Sequence, residues 1–170
     1  MRTILLILLF FFGLSSFGQK MSGIGGEFSV VGFKPNVRMW ISRTKGFEVF
    51  GGVTSELSDF IPNDFEGGFK YLNSFLYNRT DRTYFGLVGK WKWVNLEATH
   101  RNTNLPVVGV MIGKEWFHKH KNIRAFAIEL GYQYGAKEYE IQIDPITMVK
   151  KRYDEFPLVL NLRYSLYKKK

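Results

Sequence analysis

Eight charged side chains define the chemistry open to this chain of 170 residues. Glu27, Arg38, Glu48, Lys90, Lys92, Glu115, Glu129 and Arg163 share one parity of segments whose other parity is apolar. Ser29, Gln133, Asn161 and Ser165 fall on the same parity. Charges taken out of water must pair or neutralise. Four of each sign can pair with one another, which predicts a plug of ion pairs. The sharper reading of the same residues is a path for protons or ions.

Four other groups have residue types that could carry chemistry or a modification. Thr99-His100-Arg101-Asn102-Thr103-Asn104, with Glu97 and Glu115 nearby, offers a base and an acid. Nucleophilic catalysis needs nucleophile, base and orienter together, and no serine stands at position 102. His118-Lys119-His120 could hold a metal. It lies between lysines with no third ligand close in sequence, so a solvated turn is the simpler reading. Val149-Lys150-Lys151-Arg152 could meet lipid phosphates or lie in a solvated loop. Asn78-Arg79-Thr80 fits a glycosylation pattern, which is short and by itself implies nothing. There is no glycine-rich phosphate loop, zinc motif or catalytic carboxylate pair, so no catalytic, cofactor or metal site is expected.

The elements that position the charges show best in Ile123–Gly135. Phe126, Ile128, Leu130, Tyr132 and Tyr134 alternate with Ala125, Ala127, Glu129, Gly131 and Gln133. Strict alternation is a strand with two unlike faces. A lipid-facing side and a polar lumen account for an apolar face backed by Glu and Gln. Eight such segments can be placed: about Gly23–Phe33, Val37–Arg43, Gly46–Glu56, Glu66–Tyr77, Thr83–Val94, Val107–Phe117, Ile123–Gly135 and Phe156–Tyr167. Lys34-Pro35-Asn36 is read as the first turn. The later connections alternate short and long, with Leu57–Phe65, Asn95–Pro106 and Ala136–Glu155 as the long ones. Strand directions then place Trp91, Trp93, Tyr132 and Tyr134 near one rim. Phe85, Trp116, Tyr164 and Tyr167 come near the other, with aliphatic residues between. Aromatic girdles around an aliphatic belt are the pattern of a membrane barrel. Phe69–Tyr77 has no clear facing, Lys114 falls on the lipid parity, and Leu96 and Ala98 break the register after Trp93.

Ahead of the strands, Met1-Arg2-Thr3, the apolar run Ile4–Leu14 and Ser15-Ser16-Phe17-Gly18 have the order of a secretory signal peptide. The run is shorter than the roughly 20 residues of a spanning helix. The expected division is a signal over 1–18 and one barrel domain over 19–170. Removing one Arg and no acid from a net +9 leaves +8. The basic residues read as spread along strands and turns, and no nucleic-acid motif accompanies them. With no cysteine there is neither a disulfide framework nor a lipidated cysteine.

Strand count, loop alternation, girdles and the terminal Leu158–Tyr167 resemble the small eight-stranded outer-membrane barrels of Gram-negative bacteria, the class of OmpX and the OmpA membrane domain. The resemblance implies an all-β, antiparallel, up-and-down transmembrane barrel in the outer membrane with both termini periplasmic. It implies outer-membrane lipid and lipopolysaccharide as surroundings and the barrel-assembly machinery as a partner in biogenesis. Three lysines after Tyr167 depart from the aromatic ending which that machinery reads. The expected role is structural or adhesive, through the long loops. One alternative is a lipid A-modifying enzyme similar to the lipid A deacylases, around His100. Another is a soluble lipocalin-like binder of apolar ligands, which requires Phe126, Ile128 and Leu130 to point inward.

Overall fold

The computed structural model describes residues 21–29, 32–54, 64–96, 101–119, 123–142, 148–155 and 157–169. The proposed signal peptide, Leu57 and His100 lie outside the described residues. The strands are β1 (Met21–Ser29), β2 (Gly32–Trp40), β3 (Lys45–Thr54), β4 (Asp64–Tyr77), β5 (Asp81–Leu96), β6 (Arg101–Lys119), β7 (Ile123–Tyr134), β8 (Ala136–Gln142), β9 (Met148–Asp154) and β10 (Leu158–Lys169). Eight close into an antiparallel barrel in the order β1-β10-β7-β6-β5-β4-β3-β2, while β8 and β9 form a separate hairpin. Pairing of β1 with β10, from Met21↔Lys169 to Ser29↔Asn161, closes the circle. Closure leaves the eight barrel strands no unpaired edge.

Alternation decides the two surfaces. Along β7, Ala125, Ala127, Glu129 and Gln133 are buried while Phe126, Ile128, Leu130, Tyr132 and Tyr134 are exposed. Thirty large apolar or aromatic side chains among the described residues are exposed, far more than a soluble monomer shows to water. Phe28 and Phe33 (4.7 Å) and Phe65 and Trp93 (5.4 Å) pair at the loop end. Phe47 with Tyr71 (5.2 Å) and Trp116 with Phe126 (6.2 Å) lie toward the end that holds both termini. Phe126, Ile128 and Leu130 point outward, the reverse of what a lipocalin-like binder requires.

Several expectations need correction. The β1–β2 ladder runs to Ser29↔Gly32, and Lys34, Pro35 and Asn36 belong to β2 and not to a turn. Pro35 is tolerated because the β2–β3 ladder skips Lys34 and Pro35 opposite Gly51 and Gly52, and proline has no N–H to donate. The ladder continues regularly past Trp93 to Leu96↔Arg101. There is no bulge there, and most of the loop Asn95–Pro106 is a β extension. Most of Ala136–Glu155 is likewise the β8–β9 hairpin, held at its base by the Glu155 N–H to the Gly135 carbonyl (2.9 Å). In β4, Lys70, Leu72 and Ser74 point inward, and the register shifts between Ser74 and Leu76. Tyr167 is 2% exposed and faces the interior, not the rim, because it shares the parity of Arg163 and Ser165.

Close packing is visible where β1 meets β10. A Cβ on Gly25 would lie 2.2 Å from the Tyr164 carbonyl oxygen. Only glycine fits that approach without moving backbone.

Candidate functional site

The barrel interior is a stack of three zones. At the terminal end Met21, Trp40, Leu72, Tyr84, Ala125 and Tyr167 make an apolar floor. Above it is a block of ion pairs. A second charged group lies near the loop end.

The middle block turns on two guanidiniums and one ammonium. Arg38 Nε donates to Glu48 Oε2 (2.5 Å), its Nη1 to the Tyr84 hydroxyl (2.7 Å), and its Nη2 to Glu129. Arg163 Nη2 donates to Glu115 and to the Tyr167 hydroxyl (3.2 Å), and Tyr167 donates in turn to Glu115 (2.7 Å). Lys70 Nζ reaches Glu129 (2.8 Å), Glu48 (3.0 Å) and Glu27. Charge-assisted bonds of this kind are the strong ones, and a planar guanidinium can serve several oxygens at once.

The upper group continues the pattern. Lys34 joins Glu27 (2.8 Å) to Glu66 (3.1 Å), and Lys90 joins Glu66 (2.7 Å) to Glu155 (3.3 Å). Lys92 joins Glu155 (3.1 Å) to Asp64 (3.2 Å), and Gln133 Nε2 donates to Glu155 Oε1 (3.1 Å). The cations and carboxylates therefore alternate without a break from Glu115 to Asp64. Lys34 and Lys70 also lie 5.7 and 5.3 Å from the Phe50 ring centre, a cation–π contribution.

All eight charges read from parity lie in this lumen, each nearly fully buried. Ser165, Gln133 and Asn161 are buried with them, and Ser29 is half-buried at the loop end. Parity missed Lys34, Asp64, Glu66, Lys70 and Arg82, all buried, and half-buried Glu155. Lys34 was hidden by the assumed proline turn and Lys70 by the unresolved facing of β4. With them the lumen holds seven cations and seven carboxylates among the described residues, six of the cations in ion pairs and Arg82 the seventh, so the balance seen in the smaller set persists. An ion crossing the barrel would have to break partners at every step. A gap beside Lys70, Lys90, Glu129 and Gln133 measures about 30 Å³, room for about one or two waters.

Arg82 stands apart. It is 2% exposed, and its Nε and Nη1 have no hydrogen-bond partner among the described residues. Its guanidinium carbon lies 3.7 Å from the Trp40 ring centre, 4.6 Å from that of Tyr77 and 5.6 Å from that of Phe117. Aromatic faces surround this cation, and Glu115, opposite it in the β5–β6 ladder, acts on it through space without an ion-pair contact.

The rim aromatics Trp91, Trp93, Trp116, Tyr132, Tyr134 and Tyr164 are exposed on the outer wall. His118 is exposed at the end of β6, and His120 lies outside the described residues. Lys150 and Arg152 are exposed on β9, with Arg152 Nε on Asp154 (2.7 Å), which holds the Arg152 pKa above its ordinary value. Comparison with protein-family models, curated proteins and solved structures finds no match.

Proposed function

We propose that this chain is an integral outer-membrane barrel of a Gram-negative envelope, with a filled lumen and a structural or adhesive role carried by its loop end. The observation that carries the reading is the pairing of an exposed apolar wall, banded by aromatics, with an interior of balanced charge. That is the inverse of a soluble barrel, and lipid is the solvent that suits it. The lumen reads as a structural plug and not as a conduit, because its cations and carboxylates satisfy one another.

Function then falls to the projecting elements. The β5–β6 ladder runs on to Leu96↔Arg101, and β8–β9 adds a second hairpin. Lys137 Nζ donates to the Asn104 carbonyl (3.0 Å), which rests one hairpin on the other. Together they form a β surface suited to a partner outside the cell. On this reading lipopolysaccharide surrounds that end, and β10 is the segment read by the barrel-assembly machinery.

The test uses cysteine at Leu130 or Glu129 in intact outer membranes, each carrying a fluorescent label, with nitroxide lipids as quenchers. The expected result is quenching at Leu130→Cys alone. In parallel, excision of residues 137–153 should spare insertion and abolish surface attachment. A label at Leu130→Cys that lipid never quenches, on protein that washes off the membrane, refutes the barrel reading. Attachment that survives excision refutes the role assigned to the hairpins.

A further inference from the structure

Around the barrel mouth that holds the termini, charge is sorted in a way the linear chain conceals. Arg43 and Lys45 at the β2–β3 turn, Arg79 at the β4–β5 turn, Lys114 on β6, Arg124 on β7, and Lys168 on β10 are all exposed. The one acidic residue among the described residues at this mouth outside the lumen is Asp81, which accepts from Thr80 Oγ1 (3.2 Å). By sequence, Lys119, Lys121, Lys169 and Lys170 adjoin the same segments. The loop end mixes signs, with Glu138 and Asp154 beside Lys150 and Arg152. The lumen is balanced. Most of the excess positive charge of the described residues is therefore gathered on one rim.

The cations sit at a particular height on the outer wall. Trp116↔Phe126 and Phe126↔Tyr164 form one cross-strand row of aromatics over β6, β7 and β10. The next outward-facing row toward the mouth is His118↔Arg124↔Leu166, with Lys168 one step further. Lys114 starts one step inside the aromatic row and brings its Nζ to 5.6 Å from the Trp116 ring centre. Its apolar stem lies along the belt while its charge reaches toward the rim, as a snorkelling lysine does. Cations directly outside an interfacial aromatic row stand where lipid headgroups stand.

We propose that this rim is a binding surface for anionic phospholipid headgroups, with Arg124 at its centre and Lys114 and Lys168 on either side. This rests on the membrane reading above. A guanidinium matches a phosphodiester in two-point geometry, and lysines supply point charge beside it. A soluble polyanion is a poorer fit, because these side chains leave the outer wall beside apolar surface and do not converge on a solvent-facing groove.

The experiment uses the full barrel with Trp91→Phe and Trp93→Phe, so that Trp116 is the rim fluorophore. It is inserted into phosphatidylcholine vesicles containing phosphatidylglycerol. Brominated chains are placed on one lipid and then on the other at equal mole fraction, and the quenching ratio gives relative association. The expected preference for phosphatidylglycerol is about fivefold or more, the effect of one basic side chain at a charged surface. It should fade in high salt as the Debye length shrinks to about 3 Å. It should fall to about one in Lys114→Gln/Arg124→Gln/Lys168→Gln. Equal quenching by both lipids in the parent overturns the proposal, as does a preference that survives the triple substitution. Tight capture of polyphosphate in detergent with no lipid preference overturns it in favour of a soluble polyanion. No quenching by either lipid is the failure of the membrane reading itself.

Discussion

Replacing Lys70 tests whether the lumen acts as one energetic unit. Its Nζ contacts Glu129 at 2.8 Å, Glu48 at 3.0 Å and also Glu27. Lys70→Met keeps most of the side-chain volume and removes only the charge. Each pair near 4 Å at an effective dielectric of about 20 is worth about 4 kcal/mol. Three such terms overstate the loss, since the lysine is spared its own desolvation and the carboxylates can relax. Removing one partner from a buried pair costs about 3–5 kcal/mol in practice, and that is the expected destabilisation. Adding Glu27→Gln should recover roughly half of it, a coupling of about 2 kcal/mol, within the range for touching residues. Adding Glu115→Gln instead should recover nothing, although it restores the same net charge. Glu115 serves Arg163 and Tyr167, not Lys70. The assay is equilibrium urea unfolding in vesicles, read from the mobility shift of folded barrel on unheated gels. A loss under about 1 kcal/mol, or equal recovery by both second substitutions, refutes pairing by contact.

Other expectations follow from single features. Leu130→Arg should cost about 2–4 kcal/mol in bilayers if the belt meets hydrocarbon; a change within about 0.5 kcal/mol, as at a water-exposed surface, counts against it. Arg82→Met should leave urea stability unchanged or raised, because the lost cation has aromatic partners and no carboxylate in ion-pair contact among the described residues, Glu115 acting on it only through space; a loss above about 3 kcal/mol would reveal an ion pair. Excising residues 137–153 while keeping Gly135 and Glu155 should shift barrel unfolding by no more than about 0.5 kcal/mol, measured by the same gel assay. Gly25→Val should cost about 1–3 kcal/mol through clash with the Tyr164 carbonyl; unchanged urea unfolding would show that β1 and β10 can separate locally.

The amino-acid sequence alone says which surface faces which way wherever alternation is strict. Ile123–Tyr134 and Leu158–Leu166 sort side chains into inside and outside with no further information. The aromatic rims follow from strand direction, and eight of the buried charges follow from parity. It misled where local chemistry competes with tertiary context. Pro35 read as a turn until a gap in the β2–β3 ladder explained how β2 accommodates it. Strand β4 carries apolar residues on both parities, so burial of Lys70 and Glu66 was invisible. The basic rim was present in the short turns but goes unseen until those turns are placed at one end. Only closure of the barrel decided the partners. Arg38 meets Glu129 across 91 positions and Arg163 meets Glu48 across 115. Alternation specifies in or out; it does not specify height or angle around the axis. Those two coordinates come from register and closure, and they turn a list of inward charges into a continuous network of ion pairs.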